Sequence, residues 1–137
     1  MRQVKFAGVG AAGRGGDHRP AALPLLLRSW SPRIVNVAGG LGCPGIMTDP
    51  DRWESAHPTL DSGSSETALV VLAVYDAKAS PGIRMNAAGP SSTATDLDGH
   101  RGTQAVTEGA GVMVAYSTVG SDGPTGGFFD RHGVVPW

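Results

Sequence analysis

Between Ser65 and Pro90 the chain reads SETALVVLAVYDAKASPGIRMNAAGP. The order of its parts decides the fold. Residues 65–78 predict a helix: Ser64 or Ser65 supplies an N-cap, Glu66 sits in the first turn, and Pro81-Gly82 stops the run. Ala68 to Tyr75 is apolar without a break, so more than one face of this helix needs cover, in a core or against a partner subunit. Val70, Val71 and Val74 lower its intrinsic propensity, and packing must hold it. The stretch Ile83–Gly89 (IRMNAAG) predicts a short strand, and RIVNVA at 33–38 predicts another, with β-branched residues ahead of glycines. Strand, helix and strand in this order make a βαβ crossover, hence an α/β fold with a parallel sheet.

Outward from this centre the signals weaken. Ala21–Ser29 (AALPLLLRS) predicts a short helix with Leu23, Leu26 and Leu27 on one face and Pro24 tolerated near its first turn. Residues 1–20 read as a flexible glycine-rich segment, with at most a brief strand built on Val4 and Phe6. The domain division is therefore 1–20 and 21–137. Residues 39–65, GGLGCPGIMTDPDRWESAHPTLDSGSS, read as a long loop, expected to be mobile over 40–62, with Trp53 as the large aromatic that pins it. Residues 90–105 form a second loop. Val106–Thr118 predicts a further helix with Ala110, Met113 and Val114 inward, weakened by about 1 kcal/mol at each of Gly109 and Gly111. Phe128 and Phe129 start one more short strand.

Composition excludes several classes. Glycine supplies 21 of 137 residues, about twice the usual share of ~7%, but follows no G-X-Y period. Eleven Lys and Arg against twelve Asp and Glu leave no basic field for nucleic acid. Cys43 is the single cysteine, so no internal disulfide framework exists. No apolar run approaches the ~20 residues of a membrane span, and the N-terminus lacks a secretory pattern. The expectation is a cytoplasmic protein with no nucleic-acid or membrane partner.

Over residues 21 to 137, the strings PLLLRS, RIVNVAGGLG, TALVVLAVYDAKASPGIRMNAAGPSSTATDLDGHRGTQAVTEGA and SDGPTGGFFDRHGVVPW follow one another in a familiar order and spacing. In this the chain resembles the C-terminal half of a short-chain dehydrogenase/reductase. The resemblance implies a partial doubly wound, Rossmann-like parallel sheet lacking the N-terminal βαβ units, and descent from an NAD(P)-dependent oxidoreductase. It places Pro90 and Thr95 at cofactor-binding positions in the loop that closes over the nicotinamide; the family glycine after the proline is Ser91 here.

Family members use a Ser, a Tyr and a Lys: the Tyr transfers the proton, the Lys lowers the Tyr pKa, and the Ser orients the substrate oxygen. The matching positions here are Gly39, Ser62 and Glu66, so no catalytic residue is assigned. Glu66 reverses the sign of the helper charge and opposes an oxyanion. Tyr75 and Lys78, three apart and more than two turns further on, align with ordinary helix residues. Gly8-Val9-Gly10-Ala11-Ala12-Gly13 spells G-x-G-x-x-G, but no good helix follows and no acidic strand end lies ~20 residues on, so it does not read as a nucleotide site. His18, His57, His100 and His132 are too scattered for metal ligation, and Asp49, Asp51 and Glu54 read as a solvated acidic loop. No metal is expected, and NAD or NADP enters by resemblance only. The sequence reading is a truncated, diverged dehydrogenase-like chain inactive alone. The alternatives are a noncatalytic module that homodimerises through the helix at residues 65–78, and an oxidoreductase of changed mechanism.

Overall fold

The computed structural model describes residues 5–8 and 19–136. The Gly8–Gly13 motif beyond Gly8, and most of the expected flexible segment 1–20, lie outside the described residues. Strand β1 (Lys5–Gly8) and helix α1 (Arg19–Leu26) are followed by strand β2 (Arg33–Val37). Next come a 3-10 turn at Gly40–Gly42 and short helices α2 (Pro44–Met47) and α3 (Trp53–Ala56). Helix α4 (Leu60–Ala79) leads to strand β3 (Arg84–Ala88), a second 3-10 turn at Asp96–Asp98 and helix α5 (Val106–Ser117). Strands β4 (Phe128–Asp130) and β5 (Gly133–Val134) form a C-terminal hairpin.

The sheet runs β1-β2-β3-β4-β5. The first three pairings are parallel, with Phe6 opposite Ile34, Ile34 opposite Met85 and Ala87 opposite Phe128; β5 returns antiparallel on β4. The predicted crossover is therefore present as β2–α4–β3. The fold is α/β, with a partial Rossmann-like parallel sheet flanked by helices. Strand β5 carries no sequence signal of its own: two residues turned back by Gly133 at φ +117° suffice to make it.

Strand alternation splits the core between two faces. Ala38, Ala87 and Phe128 pack with Val70 and Ala73 of α4, and Ile34 and Met85 pack with Leu26 of α1 and Ala77 of α4. On the opposite face Val35, Ala88 and Phe129 meet Val112 of α5, with Tyr116 stacked on Phe129 at 4.1 Å. Asn86 is fully buried between the layers and satisfied: its amide donates to the Pro124 carbonyl at 2.9 Å, and its oxygen accepts from the Gly127 N–H at 3.2 Å.

Three local expectations are corrected. Helix α4 begins at Leu60, not at Ser65. The poor helix formers Ser62-Gly63-Ser64-Ser65 are held by tertiary contact: the Thr67 hydroxyl bridges to the carbonyls of Gly42 at 2.7 Å and Gly63 at 2.8 Å, and Gly63 is buried. The 39–65 stretch is not an extended loop but a chain of helical turns, anchored by Cys43 and Ile46, both in the core. Trp53 does not pin it by burial; it is 57% exposed and stacks on His57 at 4.4 Å. Finally, α5 turns Gly109 and Val112 inward, while Ala110 and Val114 face solvent. Among the described residues, no helix is long and apolar enough to cross a membrane.

Candidate active site

The C-terminal ends of parallel strands are where α/β sheets place their ligands. In this chain that edge is formed by Ala38-Gly39 after β2, Gly89-Pro90 after β3 and Asp130 at the end of β4. The first turns of α4 and the Gly40–Gly42 turn close over it. The side chains that meet there are mostly acidic.

Glu66 projects from α4 onto Gly39. A Cβ at position 39 would stand 2.7 and 2.8 Å from the two carboxylate oxygens, so the space any side chain would use there is filled by this carboxyl group. The Glu66 Oε2 atom is buried without a hydrogen-bond partner. Burial pushes the Glu66 pKa above the ordinary carboxylate value, partly offset by a hydrogen bond to the Gly42 backbone. Glu54, from α3, reaches the neighbouring glycine: its Oε1 lies 2.9 Å from where a Gly40 Cβ would stand. Arg52 approaches both Glu54, at 3.7 Å, and Asp130, at 4.0 Å. Behind them Cys43 is buried, and its thiol is pushed up to about 11 by burial and then by the negative fields of Glu66 and Glu54. That thiol is a packing group, held neutral.

The structure thus brings together two of the three positions that the sequence resemblance singled out, Gly39 and Glu66. Ser62 stands exposed one turn earlier on α4. Lys78 is twelve residues beyond Glu66, roughly 18 Å along the helix at ~1.5 Å per residue, toward the opposite end of the strands. Tyr75 is 68% exposed on the outer face. This pair takes no part in the cleft. Asp49 accepts the Asp51 N–H at 3.0 Å in a local turn. Among the described residues, no group of three or more His, Cys, Asp or Glu side chains gathers closely enough to hold a metal ion.

On the β3 side, the Pro90 carbonyl accepts from the Thr93 hydroxyl at 2.9 Å and from the Gln104 side-chain amide. Ser91 holds φ +57°, the left-handed backbone a glycine would supply at the corresponding family position. Thr95 caps the 3-10 turn: its N–H donates to Asp98 Oδ1 at 3.0 Å and its carbonyl accepts from the His100 N–H at 2.8 Å. Backbone hydrogen bonds hold the exposed Asp98 carboxyl below the usual range, the Thr95 N–H foremost. Sequence reasoning missed Gln104 and Arg131. Gln104 is buried, donates to Thr93 Oγ1 at 3.0 Å and accepts from Arg131 Nη1 at 2.8 Å. Nothing in their spacing announces the pair.

No protein-family model matches the sequence. A curated relative, (-)-isopiperitenone reductase of Mentha piperita, is 31% identical over 144 aligned positions, covering 81% of this chain and 46% of the reductase. Among solved structures, NADPH-bound carbonyl reductase from chicken fatty liver superposes with a TM-score of 0.71 at 22% identity, covering 87% of this chain and 51% of that one. Salutaridine reductase of Papaver somniferum superposes with a TM-score of 0.66 at 23% identity, covering 80% of this chain and 49% of that one. These relatives and neighbours are short-chain dehydrogenase/reductases. The chain shares their fold and spans about half their length.

Proposed function

We propose that this chain, which spans about half the length of its relatives, is a diverged member of the short-chain dehydrogenase/reductase family, descended from an NAD(P)-dependent oxidoreductase and without hydride-transfer chemistry of its own. The observation that carries the reading is the Glu66 carboxyl group lying on Gly39. Carbonyl reduction needs a proton donor made acidic by a nearby cation, and a field that favours an oxyanion. Here the cleft offers a carboxyl group whose proton affinity is raised, with a second carboxylate, Glu54, nearby. As carboxylates, both stabilise the protonated state of a neighbour, as they do for Cys43, and oppose a developing negative charge.

The residues present do not fit a nicotinamide dinucleotide bound as in the family. A carboxyl group stands at the position of the ribose-binding lysine, and the Thr95 backbone N–H is spent on its own turn. Pro90 and Thr95 are the positions through which any retained nicotinamide contact runs. The composition and the single cysteine support a cytoplasmic chain. The test is turnover: purified chain with NADPH and isopiperitenone, the compound in the curated relative's name, followed by loss of reduced-nicotinamide absorbance. The expected rate is that of the protein-free control. Enzyme-dependent oxidation abolished by Glu66→Ala would establish the alternative, an oxidoreductase of changed mechanism.

A second reading has its own support. The outer face of α4 exposes Val71 at 39%, Leu72 at 40% and Tyr75 at 68%, a continuous apolar strip on a helix already packed through Val70, Ala73 and Ala77. Such a strip suits a noncatalytic homodimer formed through the 65–78 segment. Light scattering after size exclusion is expected to give a dimer mass, reduced to a monomer mass by Leu72→Glu. A wild-type monomer at high micromolar concentration sinks this reading.

A further inference from the structure

We infer that the segment from Pro90 to Gln104 is a fastened strap, with Gln104 as the positioning residue that ties both its ends to the C-terminal hairpin turn. The inference is independent of whether the chain binds a dinucleotide. A connection of this length between a strand and a helix is ordinarily free to move at its tip. Its base here is closed by main-chain pairing between its two ends. Thr93 and Gln104 form a parallel bridge, the Ala94 N–H donates to the Gln104 carbonyl at 2.9 Å, and the Thr103 N–H donates to the Ser92 carbonyl at 2.9 Å.

The Gln104 side chain then works on three partners at once. It is 6% exposed. Its amide donates to the Pro90 carbonyl, at the start of the strap, and to Thr93 Oγ1 at 3.0 Å. Its oxygen accepts from Arg131 Nη1 at 2.8 Å, across 27 residues of sequence. Thr93 is fixed from a second side, where its side chain packs against buried Gly109 in α5. Arg131 lies in the turn between β4 and β5, where the His132 N–H donates to Asp130 Oδ1 at 2.7 Å and the Arg131 Nε donates to His132 Nε2 at 3.1 Å. One buried amide therefore joins the loop after β3, the start of α5 and the end of the sheet. A buried amide with its donors and its oxygen both engaged is costly to open, because opening leaves several polar groups unpaired together.

The consequence is a conformational device. The strap over the C-terminal end of β3 is preset, and releasing it requires breaking Gln104 from Arg131 and Pro90. The tip beyond the fastening, Thr95 to Gly102, keeps its own 3-10 turn and exposes Leu97 almost completely.

Residue-resolved amide exchange of the 137-residue chain tests this, comparing wild type, Arg131→Ala, Gln104→Ala and the double variant. In wild type the Ala94 and Thr103 amides are expected to be protected, despite lying in a loop. Gln104→Ala is expected to speed their exchange at least about tenfold, Arg131→Ala by a smaller factor. The double variant should be no faster than Gln104→Ala, because Arg131 acts through Gln104. The Ala38 amide, which donates to the Ala88 carbonyl in the sheet, should be unchanged throughout and reports a merely global loss of stability. Unprotected Ala94 and Thr103 amides in wild type would overturn the inference. So would an Arg131→Ala effect equal at Ala38, or additive effects in the double variant. Arg131 is exposed, so its single variant remains a test if Gln104→Ala does not fold.

Discussion

The Glu66 carboxyl group gains a burial cost and no hydrogen-bond donor at Oε2, with Glu54 and the neutral Cys43 thiol in the same field. Its folded-state pKa is raised, so its contribution to stability is fully present below the unfolded value of ~4.3 and is lost as pH rises through the folded value. Glu66→Gln, which fixes the neutral state, is therefore expected to raise stability at pH 8 by about 1 kcal/mol, the order of one unpaired buried polar group, with the gain shrinking toward pH 4. Thermal melts at the two pH values check this; a loss of stability at pH 8 would show that the carboxylate has a partner. Ser91 offers a second single-residue test. Its φ of +57° is strained for any side chain, so Ser91→Gly should raise the unfolding free energy by about 0.5–1 kcal/mol in urea. Gly39 and Glu66 were singled out in the sequence because the strings around them resemble a known family, and the structure puts the Glu66 carboxyl group against Gly39. Gln104 and Arg131 were not, since a bond across 27 residues leaves no local spacing to read.

Secondary-structure elements were most legible where the pattern was strong and the cover two-sided. The predicted strands at 33–38 and 83–89 and the crossover between them match β2, α4 and β3 closely, because β-branched or small apolar runs bounded by glycine have few other uses. The start of α4 was illegible. Residues Leu60 to Ser64 have little helical preference, and what recruits them is the Gly40–Gly42 turn lying against the helix. That contact is tight enough that a Cβ on Gly42 would stand 2.5 Å from the Thr67 nitrogen and 2.7 Å from the Glu66 carbonyl carbon. These are main-chain atoms that cannot swing aside. Gly42→Ala is expected to cost about 2 kcal/mol and to loosen the first turns of α4, read as a drop in helical circular dichroism. Unchanged stability would mean that this turn is not what holds Leu60–Ser64 helical. The inward face of α5 was misassigned for a related reason: with glycines at 109 and 111, its apolar residues mark no single stripe, and Gly109 faces inward because Thr93 needs the room.

At the scale of the whole molecule, the parallel order of the sheet followed from the crossover alone, whereas its extent did not. The strand at 5–8 was legible only as a brief strand built on Val4 and Phe6, and that at 133–134 is too short to announce itself; together they extend the sheet on both sides of the core. Among the described residues β1 has a neighbour on one edge only, and exposed strand edges favour association with other chains. Two helices cover one face and α5 the other, enough for a parallel sheet to hold two thin cores. The acidic cluster of Glu66 and Glu54 at the strand ends carries the proposal that this chain lacks hydride-transfer chemistry, and that proposal makes a plain forecast about dinucleotides. The most direct measurement is a titration of the purified chain, its folded state first confirmed by near-UV circular dichroism, with NADPH and with NADH while nicotinamide fluorescence is followed. The account predicts no saturable change for either cofactor at micromolar concentration; saturable binding by the folded chain, weakened by a change at Thr95, would contradict it.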